Sequence, residues 1–433
     1  MTGDRRDGAV LVLDGQTTQA LACVRSLGAA GYRVLVASTY RAPLARWSRH
    51  CEAAIRLDGE TPASFAAARR WGVARGARLV LPLTERSAEL CLADGAGWTG
   101  ADVIIGCAPA ERLTLAFDKA RTVALAQSCG VRVPLTHTPE SMADVHAAAA
   151  AIGFPCIVKA RCSSLRDGDL IRQAGDPAYV TDLATLERAV ASARLGPHWP
   201  LVQAIVPGRG KGIFALFDHG EPVAWFAHER LRDVRPSGAG SSLRRSVALD
   251  ERLRAPAERL LRAMRWHGPA MVEFRDDGVS EPCLMEVNGR FWGSLHLAVV
   301  AGVDFPALWV ALLHGEAVQP VPSYATDVTL RWLWGDVKHL VSVLAGRPPG
   351  YVGPFPTLAS CLTELFGAQP AGTSSETWDV HDPGPAVGEW VQGISELGSR
   401  RAVGRVVRRV LSARAEPRPP TPPVVAPAAS RRA

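Results

Sequence analysis

Two glutamates thirteen residues apart, Glu273 and Glu286, are the first residues of this chain whose types and spacing suggest chemistry. The segment between them carries turn residues at Asp276, Asp277 and Gly278, so a hairpin would set the two carboxylates nearly opposite each other. Side chains alternate along a strand, which puts Asn288 on the face of Glu286 and Arg290 in register beyond it. Opposed like charges destabilise a strand pair and ask for a cation between them. Oxygen donors, two of them anionic, suit Mg²⁺ held jointly with phosphate groups. Two solvated glutamates on a wet hairpin would carry no chemistry, and the in-register Asn288 and Arg290 weigh against that.

Cations recur elsewhere. Lys159 ends an apolar run at 156–159 and is followed by Arg161, Ser163, Ser164 and Gly168, a loop able to cover phosphates with hydroxyls and backbone N–H groups. Lys119 follows Asp118, an N-cap residue, where its charge opposes the helix dipole at a small local cost. Either lysine alone reads more readily as an ordinary solvated one. Residues 228–245 hold five arginines around a Gly/Ser loop, and guanidinium forks suit carboxylates. A solvated basic loop would look the same.

The elements that must position these groups follow from hydrophobic periodicity. Residues 9–13 read as a buried strand, Thr17 and Thr18 as caps of a helix ending before Gly31, and residues 33–38 as the next strand. Strand-like runs at 78–83 and 102–106 with a helix at 64–74 extend this βαβ unit into an open parallel sheet. The first turn, Asp14-Gly15-Gln16-Thr17-Thr18, lacks the glycine fingerprint of a dinucleotide site, so the domain is expected to be Rossmann-like in shape only. Downstream, strands are expected at 156–159, 201–206, 213–217, 222–227, 270–275 and 283–287, and helices at 182–193 and 250–266. Beyond about residue 319 the pattern is irregular, and a small α-rich region is expected.

Composition bounds the class. At 433 residues two or three domains are expected, and 47% hydrophobic with 21% charged residues excludes wholesale disorder. Nine cysteines without a CxxC pair or clustered histidines fit reduced thiols in a cytoplasm, and neither a secretion signal nor a 20-residue apolar span is read. The net charge of +7 is a tail property: residues 400–433 hold nine arginines and one glutamate, which leaves −1 for residues 1–399 and argues against a nucleic-acid face on the core. Within the tail, Val403, Val406, Val407, Val410 and Leu411 repeat at helical spacing. Such a basic amphipathic helix either packs on its own domain or contacts an acidic surface, and the six prolines of the last 18 residues point to disorder beyond it.

Taken in order, Asp118-Lys119, the 155–159 segment, the 201–208 segment, Glu273, and Glu286-Val287-Asn288-Gly289-Arg290 with Ser294 make the chain resemble ATP-grasp enzymes. It is most similar to their carbamoyl-phosphate-synthase-like carboxylate–amine ligase branch, over roughly residues 9–345. The resemblance implies an α/β chain, with a Rossmann-like N-terminal domain, an ATP-grasp fold of two α+β subdomains clamping ATP, and a small α-rich C-terminal region. The corresponding bounds are 1–113, 114–318 and 319–399, with the basic helix and Pro-rich tail at 400–433. It further implies that Lys119, Lys159 and Ser164 meet ATP phosphates and that Gln203, Ala204 and Val206 form the adenine hinge. Glu273, Glu286 and Asn288 would hold Mg²⁺, with Mn²⁺ an acceptable substitute. Arg290 would face the γ-phosphate and the carboxylate being activated, and Arg230, Arg245 and Ser294 would border the acceptor. Ala204 and Ala160 depart from the usual hinge residue and the usual proline but leave backbone roles intact.

The reaction so implied is ATP-dependent joining of a small-molecule carboxylate to an amine through an acyl phosphate, releasing ADP and phosphate. A homodimer is compatible with it. A nucleotide-binding module with weak or no turnover is the alternative from another class, and no loss of a site lysine or glutamate signals it. A biotin-carboxylase-like component shares the grasp site, but no Met-Lys-Met-like biotinyl segment is present.

Overall fold

The protein is described by a computed structural model covering residues 8–167 and 170–398. Strands Cys51–Arg56, Arg33–Ser38, Ala9–Val12, Ala77–Leu81 and Ile104–Ile105 lie side by side in that order as a parallel sheet. Its inner strands are buried on both faces, so Ala9–Val12 and most of Arg33–Ser38 form unbroken apolar runs. The outer strand Cys51–Arg56 was invisible to periodicity because it is only partly buried and carries Glu52 and Arg56. Helix Thr18–Ala29 follows the first strand; the Thr17 hydroxyl accepts from the Ala20 N–H, and Gly31 at φ 90° terminates it.

Two further sheets carry most of the sequence-predicted site residues. Strands Ala178–Val180, Cys156–Lys159, Leu201–Ala204 and Thr136–His137 form an antiparallel sheet. Helices Met142–Ile152 and Leu183–Ala193 cover it, burying Val145, Leu186 and Val190 against Cys156, Val158 and Val202. A seven-stranded sheet is ordered Cys283–Asn288, Gly268–Asp276, Arg209–Asp218, Glu221–Arg235, Ala239–Ser246, Thr329–Arg331 and Ser374–Ser375. One apolar cluster runs from Val24 and Leu27 through Trp292, Phe305 and Trp309 to Phe214 and Phe226, joining the first helix to this sheet.

Three expectations change. After Lys159, strands Ser164–Asp167 and Leu170–Gln173 pair as a short hairpin in place of a loop. Residues 228–245 likewise form the arms of a long hairpin, with Arg230 opposite Arg244 and Glu229 opposite Arg245. Its dense charges hid the strand pattern. The irregular region past 319 contributes strand Thr329–Arg331 to the large sheet, then helices Leu333–Leu344, Leu358–Phe366 and Gly384–Gly398. The last helix returns to the turn Leu44–Trp47: Gly388 lets it approach so closely that an added Cβ would lie 2.3 Å from the Trp47 ring. The Gln392 amide then accepts from the Leu44 N–H at 2.8 Å and donates to the Gln16 carbonyl at 2.9 Å. Among the described residues no helix is long and apolar enough to cross a membrane. The expectations for Gly168 and for the basic tail lie outside the described residues.

Candidate active site

Strands Gly268–Asp276 and Cys283–Asn288 pair with Glu273 directly opposite Glu286 and Met271 opposite Asn288. The Asn288 amide donates to Glu286 Oε1 at 3.0 Å, and Arg290 Nη2 donates to Asn288 Oδ1 at 3.1 Å. Arg230 Nη2 donates to Glu273 Oε2 at 3.1 Å. Burial pushes the Glu273 carboxyl above its ordinary range despite Arg230, with Glu286 adding to the rise. Burial acts the same way on Glu286, but Lys119, the Asn288 amide, Lys159 and Arg290 reverse it and hold that carboxyl low. Two facing carboxylates with an amide oxygen beside them are a hard-oxygen donor set of the kind Mg²⁺ takes.

The two lysines are brought to this pair by other elements, Lys159 by the end of strand Cys156–Lys159 and Lys119 by the start of a helix. Asp118 caps helix Lys119–Ser128, accepting from the Ala120 and Arg121 N–H groups. The Arg161 fork grips the same carboxylate at 2.7–3.0 Å. Burial raises the Asp118 carboxyl, and Arg161 with the cap bonds brings it below the usual range. The Lys119 N–H donates to the Arg161 carbonyl at 3.0 Å and its Nζ to Ser163 Oγ at 2.9 Å, so the helix start is clamped to the chain just past Lys159. Lys159 is buried without a hydrogen-bond or ion-pair partner among the described residues. Burial pushes its ammonium down to about 8, Lys119 adds to this, and Glu286 opposes it. A buried, unpartnered cation beside a carboxylate pair fits a phosphate.

The other expected residues divide. Gln203 is buried opposite Ile157, its amide donating to Thr136 Oγ1 at 2.7 Å while its Oε1 has no partner among the described residues. The Ala204 N–H is used by the Leu135 carbonyl at 2.9 Å, and Val206 is half-buried just beyond. Ser164 donates to Glu89 of helix Glu85–Ala93 at 3.1 Å, so Ser163 is the hydroxyl that meets Lys119. Ser294 is buried and bonded to His228 Nε2 at 2.7 Å; His228 stacks on Phe214, and burial keeps it well below its ordinary range.

Glu273, Glu286, Asn288, Arg290, Arg230 and Ser294 border one cavity of about 470 Å³. Arg245 does not: it is part-exposed on the opposite face of the hairpin and forks onto Glu229. Its neighbour Arg244 takes the cavity side, fully buried, bonded to the Ser241 carbonyl at 2.8 Å and paired with Glu376. The register explains the correction, since cross-strand partners share a face and Arg230 pairs with Arg244. The remaining walls escaped the sequence reading. They are the first turn of helix Thr18–Ala29 with Gln16 and Thr17, then Trp332, Trp334 and Lys338, and Glu389 and Glu396 of the last helix. The one signal for them was the aromatic pair Trp332 and Trp334 in an otherwise irregular stretch.

Residues 201–335 match the family described as ATP-grasp in the biosynthetic pathway with Ter operon. No curated protein matches by sequence. Among solved structures, biotin carboxylase from Campylobacter jejuni superposes with a TM-score of 0.59 at 18% identity, over 76% of this chain and 75% of that one. N5-carboxyaminoimidazole synthetase from Staphylococcus aureus does so with 0.56 at 14%, over 74% and 81%. The biotin carboxylase domain dimer of Hydrogenobacter thermophilus 2-oxoglutarate carboxylase, solved with MgADP and bicarbonate, gives 0.56 at 15%, over 74% and 73%. Residues 201–335 thus resemble the ATP-grasp family, and the fold of the chain is that of the solved structures named above.

Proposed function

We propose that this protein is an ADP-forming ligase that activates a small-molecule carboxylate with ATP and joins it to an amine. The observation that carries the reading is that Lys119 and Lys159 converge on Glu286, while Glu273, Glu286, Asn288 and Arg290 border a cavity large enough for a small substrate. Phosphoryl transfer needs charge neutralisation and in-line placement more than acid–base groups, and that is what this set supplies.

Lys159 and Lys119 would neutralise the phosphates of ATP, with Ser163 orienting the Lys119 ammonium. Glu273, Glu286 and Asn288 would hold Mg²⁺, which would supply further charge neutralisation to the phosphates. Arg290 orients the acceptor carboxylate, one oxygen of which takes the γ-phosphoryl group to give an acyl phosphate and ADP. The amine then attacks the acyl carbon, phosphate leaves with its oxygen, and the amine loses a proton. The buried His228–Ser294 pair shapes this wall as a neutral hydrogen-bonded unit.

Analysis of nucleotide products by chromatography tests the mechanism: incubation with ATP, Mg²⁺ and a panel of amino acids and small acids should yield ADP and phosphate. Formation of AMP and pyrophosphate would assign an adenylating mechanism and reject this one.

A further inference from the structure

The phosphoryl-transfer reading leaves one wall of the cavity without a task. Glu389, on helix Gly384–Gly398, is 4% exposed and borders the cavity. Its Oε2 accepts from Thr377 Oγ1 at 3.0 Å. Its Oε1 has no hydrogen-bond partner among the described residues, and neither do the indole nitrogens of Trp332 and Trp334 in the same wall. The Trp332 indole and the Trp334 backbone N–H are close enough to draw the Glu389 carboxyl downward, and neither closes a hydrogen bond of normal geometry. Leaving a buried carboxylate oxygen unpaired is costly, and a donor arriving with a ligand removes that cost.

The surroundings select the kind of donor. Lys338 lines this wall, with Nζ 3.5 Å from Glu396 and 5.2 Å from the centre of the Trp332 ring. Its charge is thus engaged with Glu396 and an aromatic face while Glu389 keeps an open oxygen. Trp334 is braced edge-on by Trp390 at 5.5 Å, so the indoles form a packed apolar wall. Burial raises the Glu389 carboxyl in the free protein, and an arriving ammonium, which offers N–H donors to the open oxygen and a cation to the ring faces, draws it into its ionised form. The cationic groups Arg230 and Arg290 border the same cavity from other strands and loops, beside the opposed glutamates.

We propose that the cavity takes a carboxylic acid bearing a protonated amino group, with Glu389, walled by Trp332 and Trp334, as the subsite for that ammonium. The proposal rests on the ligase reading for the placement of the carboxylate and on Glu389 itself for the ammonium. A ligand lacking the amino group leaves Oε1 desolvated and unpaired, which is how a site built for a polar group rejects its analogue.

The test is calorimetric binding to the full chain with Mg²⁺ and ADP present. The probes are straight-chain ω-amino acids from 4-aminobutyrate to 8-aminooctanoate, each against the fatty acid of equal length. At least one ω-amino acid should bind about tenfold or more tightly than its partner. Glu389→Gln should cut that ratio to below about threefold and leave ADP affinity unchanged. Loss of folded protein would lower the active fraction for both probes alike and leave the ratio intact. A ratio near one throughout, binding by no probe, or a ratio retained in the variant would each overturn the proposal. An ammonium preference without ADP release once ATP replaces ADP would remove the ligase reading and leave the subsite standing.

Discussion

Replacing Arg244 and, separately, its neighbour Arg245 with alanine should give two very different proteins. The Arg244 and Glu376 side chains are 2% and 1% exposed, and Glu376 loses its closest cation when Arg244 is removed, with Arg25 the remaining one nearby. Breaking such a buried pair from one side costs about 3–5 kcal/mol, because the partner charge stays buried and unmatched. Arg245 and Glu229 are 40% and 37% exposed, and a surface pair of that kind contributes about 0–1 kcal/mol. At about 2 °C per kcal/mol for a folding unit of a few hundred residues, Arg244→Ala should lower the melting temperature by about 6 °C or more. Arg245→Ala should lower it by no more than about 2 °C. Scanning calorimetry reads both, and the KM for the carboxylate substrate adds a second axis. Arg244→Ala should raise it, since Arg244 borders the cavity, and Arg245→Ala should not. Equal losses of stability, or an elevated KM confined to Arg245→Ala, would refute the assignment of faces.

Three further outcomes are expected. Glu286→Gln should lower ADP release by about 10²–10³-fold while the far-UV spectrum stays that of the parent, and a variant keeping more than a tenth of parental turnover would remove Glu286 from the metal set. Asp118→Ala deletes both the helix cap and the Arg161 grip, so the KM for ATP should rise more than kcat falls, with a stability loss of about 1–2 kcal/mol from the cap; an unchanged KM would show that the clamp does not position Lys119. Burial raises the Glu389 carboxyl to about 7, so the folded state holds a proton that the unfolded chain has released. Its contribution is therefore complete below the ordinary glutamate range and is lost as pH rises to about 7. Melting curves should show wild type losing stability relative to Glu389→Gln between about pH 4.5 and 7, and a constant difference across that window would contradict the burial of a neutral carboxyl.

Much of the proposed metal and phosphate set was legible in the sequence because its geometry is local. A hairpin with period-two alternation brings Glu273 opposite Glu286 and Asn288 beside it, and an aspartate cap puts Lys119 at a helix start; neither needs knowledge of distant elements. The parallel sheet was legible for the same reason, since its inner strands are apolar on both faces, whereas the half-exposed strand Cys51–Arg56 has no such signature. Arg244 against Arg245 could not be settled from composition. Five arginines in one stretch look alike until the pairing of Glu221–Arg235 with Ala239–Ser246 fixes which face each takes. Ser164 could not be separated from Ser163 either, because Glu89, which claims it, lies 75 residues away on another unit.

The far wall of the cavity was decided by tertiary structure. Gln16 and Thr17, Arg230 and Arg244, Trp332 and Glu389 come from four stretches spread over more than 370 residues, and they share a cavity because helix Gly384–Gly398 packs back on Leu44–Trp47. No spacing rule encodes that return. Short-range order reflects backbone periodicity and capping, which neighbouring residues impose on one another, whereas a wall closed by the far end of the chain depends on which apolar surfaces bury together.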